Sequence, residues 1–247
     1  MTKIDLYREQ LRALTDWREF LMANSNLPGP RGNIELAMAF GEECSRELAL
    51  EYARLGADAA PENTPACFLA FCGVIALGRA AVEGEASALT LLRERASDPR
   101  WRVREAVAMA LQRLGDADME ALLTTVEEWS GGVELEQRAA AAAICEPRLL
   151  RQREYSGRVL AVLSRITESI VNSKERRSES FRILRQAMGY CWSVAVAAYP
   201  VEGKAAFERW LSTTDRDLRR VLRENLKKKR LVQVDPAWTA RARKQLN

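Results

Sequence analysis

The chain has 247 residues, 47% hydrophobic and 29% charged, with a formal net charge of +4 and no histidine. That is ordinary globular composition with ample apolar residues for a core, and the mild charge does not by itself imply nucleic acid. The missing imidazole excludes Ser-His-Asp and Cys-His catalysis, HExxH zinc sites and histidine acid–base chemistry.

In chain order, residues 3–23 read as a first helix, with Leu6, Leu11, Leu14, Trp17 and Leu21 giving an approximate stripe. Residues 1–10 are charged and carry no apolar signal core, so no secretory leader is expected. Residues 24–32 form a loop, because the run Leu27-Pro28-Gly29-Pro30-Arg31-Gly32 is incompatible with regular helix. It reads either as a rigid turn or as a binding loop. Asn33 then caps a long helix to Leu55, ended by Gly56. Thr64-Pro65 opens the next, running through Phe68, Phe71, Val74 and Leu77. No run of about 18 apolar residues is apparent, so no membrane span is expected. A cytoplasmic protein is the default.

After a helix over about 85–96 comes the clearest element, from Ser97 to Asp116. Ser97 or Asp98 can cap it, and Pro99 suits a first turn. Val103, Ala106, Val107, Ala110, Leu111 and Leu114 fall at helical spacing on one face, and Gly115 is the expected stop. The alanines predict close approach to a neighbouring helix. Further helices are expected over 118–129, 135–145, 158–171, 181–199, 204–211, 216–230 and from Asp235-Pro236 to near Leu246. No strand is predicted; the fold class is all-α.

The central pattern recurs. Gln137-Arg138, Leu184-Arg185 and Leu218-Arg219, each with apolar residues at the same following positions, match Val103-Arg104. Their arginines, at 104, 138, 185 and 219, fall at steps of about 34, 47 and 34 residues, near the range of two-helix repeats. Asp-Pro, Val-Arg and a closing Leu-Gly resemble the second helix of a HEAT repeat. The resemblance implies an α-solenoid of stacked antiparallel helix pairs in a right-handed array. It assigns the chain to one helical-repeat domain, with N-terminal helices over 1–63, repeats over 64–231 and a cap over 232–247. It also implies that the repeated arginine bonds an aspartate or carbonyl of the adjoining turn, here Asp98 or Asp217. The second half, around 137–150 and 223–231, resembles an uncharacterised group of bacterial HEAT-repeat proteins. A remoter resemblance, in fold class, size and basic end, is to the HEAT-like DNA alkylation-repair glycosylases; no catalytic residue carries over.

Cys44, Cys67, Cys72, Cys145 and Cys191 are odd in number and irregularly spaced, which predicts reduced buried thiols rather than a disulfide framework or a zinc site. No nucleotide-binding glycine loop or carboxylate pair stands out, so no cofactor, metal or catalytic residue is expected. Two features remain. Residues 216–247 hold eleven basic residues against three acidic ones, about twice the net charge of the whole chain. That block reads as a solvated end cap or as a phosphate-binding surface. Tryptophans also accompany the repeated arginines. The candidate binding residues are therefore Trp101, Arg104, Arg185, Trp192, Arg219, Arg220, Arg223, Lys227, Lys228, Lys229 and Arg230. The expected function is a non-enzymatic scaffold binding a protein on its concave face. The alternative is DNA binding through the basic block.

Overall fold

The computed structural model describes residues 1–246; Asn247, the last residue of the expected cap, lies outside the described residues. All regular structure among them is helical, fifteen α-helices and two short 3₁₀ turns, as the all-α expectation requires. The chain divides into two compact units, Met1–Asp118 and Met119–Asn247.

The first unit holds α1 (Lys3–Arg12), α2 (Arg18–Ala23), α3 (Ile34–Glu43), α4 (Arg46–Ala53), α5 (Pro65–Val82), α6 (Ala86–Ala96) and α7 (Trp101–Ala117). Helix α5 is its centre, packing on α2, α3, α4, α6 and α7. Thr64 caps it by accepting from Cys67 N–H at 3.3 Å, with Pro65 at the first position. Every residue from Cys67 to Gly78 is buried. The expectation that no stretch is apolar enough to span a membrane needs correction: α5 has that length and a mean hydropathy of 1.8. Its scattered Gly, Cys and Ala disguise this, and the unit uses the helix as its core. Close approach of α7 follows from small residues on both sides. A Cβ on Gly78 would lie 2.9 Å from the Ala110 backbone, so only glycine fits there.

Three expected boundaries change in this unit. Residues 3–23 form two helices, since the Asp16 carboxylate accepts from Arg18 N–H at 2.9 Å and restarts the chain. The helix from Asn33 breaks at Cys44, where Arg79 donates to the carbonyls of Glu42 and Cys44 and Ser45 caps α4. Gly115 does not stop α7; it is buried inside the helix, which closes when Asp118 N–H donates to Leu114 at 2.7 Å.

The second unit holds α8 (Met119–Trp129), α9 (Glu134–Ile144), α10 (Ser156–Asn172), α11 (Glu179–Ala198), α12 (Pro200–Glu208), α13 (Arg216–Leu226), α14 (Lys229–Val234) and α15 (Pro236–Leu246). Alternate helices neighbour one another: α9 packs on α11 and α11 on α13, while α8 packs on α10 and α10 on α12. Buried Asn225 fastens α13 to α11, accepting from Ser193 N–H at 2.8 Å and donating to the Met188 carbonyl at 2.7 Å. The expected helix over 216–230 ends at Leu226, whose carbonyl accepts from Arg243 at 3.1 Å.

The units differ in charge. The first carries 14 basic and 18 acidic residues, the second 24 and 16, so their nets are −4 and +8. The second unit's excess lies wholly in 216–247, since 119–215 balances at 13 of each.

Candidate functional site

The first unit contains an apolar cleft of about 230 Å³, lined by Leu27, Gly32, Ile34, Phe68, Phe71, Trp101 and Met109, with Arg31, Arg102 and Glu105 beside them. Each wall has a local cause. Phe68 and Phe71 lie on the same face of α5, their rings stacked at 6.1 Å and 19°. Ile34 comes from α3 and Met109 from α7. Leu27 and Gly32 come from the proline-rich loop, which is fixed rather than slack. Asn33 holds the loop's end, accepting from Leu36 N–H at 3.2 Å and donating to the Asn24 carbonyl and the Tyr7 hydroxyl. Gly29 turns so tightly that a Cβ would sit 2.4 Å from the Asn26 carbonyl oxygen. Its N–H donates to the Asn63 side chain at 2.9 Å, and Asn63 has a positive φ of 62°. The loop is therefore both a rigid turn and a wall of the cleft.

Trp101 stands at the mouth, 45% exposed. Two arginines that the sequence did not single out place it. Arg100 is buried with Asp98, donating to both carboxylate oxygens at 2.7–2.8 Å and to the carbonyls of Leu55 and Ala60. Burial pushes the Asp98 carboxyl up, but the Arg100 hydrogen bonds and charge outweigh it and the pKa is lowered. Arg102 lies under the indole, its guanidinium carbon 4.3 Å from the ring centroid. It pairs with Glu62 and donates to the Gly29 carbonyl and the Asn63 side chain. Its Nε is buried without an acceptor. One cation thus joins the loop, the α4–α5 linker and the exposed indole.

The other sequence candidates fall into three places. Arg104 donates to the carbonyls of Asp98 at 2.6 Å and Pro99 at 2.8 Å, tying the turn before α7 to that helix, while Arg185 pairs with Asp217 and ties α11 to the first turn of α13. Trp192 is fully buried, its indole N–H donating to Thr167 at 2.9 Å and its ring meeting Phe207 edge-on at 5.9 Å. It has no surface to offer a partner. In the basic block, Arg219 and Arg223 both donate to the Leu246 carbonyl and cap α15. Lys227 pairs with Glu224, while Lys228 and Arg230 lie over the exposed ring of Tyr190. Arg220 and Lys229 are exposed, and Arg220 meets Glu224 only through its charge. Among the described residues none of these cations lies over a tryptophan ring. Among the described residues no group of three or more His, Cys, Asp or Glu side chains could hold a metal ion. All five cysteines are free and buried.

No protein-family model matches this sequence, and no curated protein matches it.

Proposed function

We propose that the chain is a non-enzymatic helical-repeat scaffold that binds another protein, and that the Trp101 cleft grips the partner through an inserted apolar side chain. The observation that carries this reading is the cleft itself: an exposed tryptophan held in place by Arg102 at a cleft lined by stacked phenylalanines. Aromatic anchors in preformed pockets dominate protein interfaces. A volume of about 230 Å³ falls below the roughly 300–1,000 Å³ of small-molecule pockets. It suits one or two side chains.

The packed helix pairs α8–α9 and α10–α11 of the second unit are the HEAT-like repeats in this proposal, with recognition on the face that their stacked helices present. The alternate-helix packing within the second unit and the recurring arginines at 104, 138, 185 and 219 support that reading.

Selection of a random peptide library on the immobilised protein tests the proposal, with Trp101→Ala and Met109→Arg as counter-targets. Enriched peptides should share one bulky apolar residue, bind at micromolar or tighter Kd and lose at least tenfold on both variants. Failure to enrich, or equal binding to wild type and variants, would contradict it.

A further inference from the structure

The basic end of the second unit contains an arrangement that the cleft does not use. Helix α13 buries Leu218, Val221, Leu222, Asn225 and Leu226. Arg216, Arg220, Arg223 and Lys227 fall at i, i+4, i+7 and i+11, which places them along one opposite, exposed face. Eleven residues at 1.5 Å each make that stripe about 16 Å long. Among the described residues Arg216 and Arg220 form no ion pair, and Arg220 meets Glu224 only through its charge. Among the described residues Arg223 donates to a carbonyl and keeps its charge, and Lys227 pairs directly with Glu224, whose charge also reaches Lys228 and Arg220.

The stripe leads to an aromatic residue. Gly189 of α11 lies against Glu224, its Cβ position 3.2 Å from that side chain, so the next residue, Tyr190, stands beside the end of α13. Tyr190 is 41% exposed. Arg230 lies over its ring with the guanidinium carbon 4.5 Å from the centroid and donates to its hydroxyl. Lys228 Nζ is 5.5 Å from the same centroid. Among the described residues neither cation forms an ion pair; Glu224 is bonded to Lys227 and acts on Lys228 only through its charge. With one carboxylate, Glu224, shared among Lys227, Lys228 and Arg220, the two cations over this ring keep a positive excess that an anion would relieve.

We propose that this surface binds single-stranded nucleic acid, with the phosphate backbone along the α13 stripe and a base against the Tyr190–Arg230 stack. The cationic stripe is a line rather than a point, so it fits a polyanion better than a lone phosphate. The aromatic at its end favours a single strand. A duplex hides the faces of its bases, whereas an unpaired base can extend a stack of ring and guanidinium. This site is independent of the Trp101 cleft.

Fluorescence anisotropy of labelled dT20, with a 20-base-pair duplex in parallel, tests it at 50 and 200 mM NaCl. Four phosphate contacts on a single strand predict about a 50-fold loss of affinity between those salts. Arg220→Gln and the double change Lys228→Gln/Arg230→Gln should each weaken dT20 binding at least threefold and flatten the salt dependence. Tyr190→Ala should weaken dT20 more than duplex. All these side chains are exposed or half-exposed, and thermal melts followed by circular dichroism check that each variant is folded; Arg220→Gln disturbs no bonded partner and serves if the double variant unfolds. No binding of dT20 at 50 mM NaCl would overturn the proposal. So would duplex binding as tight as dT20 binding, or affinity unchanged by Arg220→Gln and Tyr190→Ala.

Discussion

Asp98 and Arg100 form an ion pair at 2.7 Å with side chains only 2% and 1% exposed, directly before the residue that guards the cleft. The carboxylate also accepts from the Arg100 backbone N–H at 2.9 Å, and the guanidinium reaches carbonyls of the α4–α5 linker. Every polar group of the pair is therefore answered, the condition under which a buried pair is tolerated. Its position fixes where α7 starts, and so where Trp101 points.

Asp98→Ala should destabilise the protein by about 3–5 kcal/mol, because it leaves the buried Arg100 charge without its partner. Urea unfolding measures this. A shift of the midpoint by less than the equivalent of about 1 kcal/mol would show that the pair does not hold the turn.

The same carboxylate ties stability to pH. Its pKa is lowered in the folded state, so its contribution is complete above the unfolded value of about 4 and is lost as pH falls toward the folded value. Glu43, held down by Arg12 and Arg8, Glu127 by Arg158, and Asp217, where Arg185 and Arg176 outweigh burial, act in the same direction. The urea midpoint should be flat from pH 7 to 5 and decline below about pH 4. Asp98→Asn should remove part of that decline.

Gly29→Ala should destabilise by about 1–3 kcal/mol, since a Cβ there would press on the Asn26 carbonyl. Because Gly29 supplies both a donor to Asn63 and an acceptor for Arg102, the variant should also weaken any ligand of the cleft. Unchanged stability with unchanged binding would mean that the loop does not shape the cleft.

The cysteines should be silent in the native state. Burial pushes the thiols of Cys44 and Cys67 up to about 11 and those of Cys72 and Cys145 well above the usual range. Titration with a chromogenic disulfide at pH 8 should detect no fast-reacting thiol in native protein and five in denaturant. A fast native thiol would contradict the burial.

Much of this was legible locally. Thr64-Pro65 announces α5 correctly, and the apolar spacing after Asp98-Pro99 gives the buried face of α7, because capping and periodicity act within one or two turns. What is settled by distant partners was not legible. The break at Cys44 depends on Arg79, more than 30 residues on, taking up the freed carbonyls. Trp192 and Trp101 look alike in sequence, each on a repeat helix near an arginine. Only the packing of Phe207 and Thr167 against the first makes it core and leaves the second as a surface anchor. The cleft draws on the 24–32 loop, α3, α5 and α7, so no short motif could reveal it. Arg102 carried a faint signal, a cation beside an exposed tryptophan, which the repeat pattern overshadowed with Arg104.

A partner's apolar side chain is expected to enter the Trp101 cleft. Fluorine NMR of protein labelled with 5-fluorotryptophan resolves the six tryptophans, with Trp101→Phe identifying that resonance. Titration with N-acetyl-phenylalaninamide should shift the Trp101 signal in a saturable way while leaving Trp192 and Trp238 in place, and Phe71→Ala should weaken the response. A Trp101 signal that stays fixed to millimolar probe, or a shift spread equally over all six, would contradict the account.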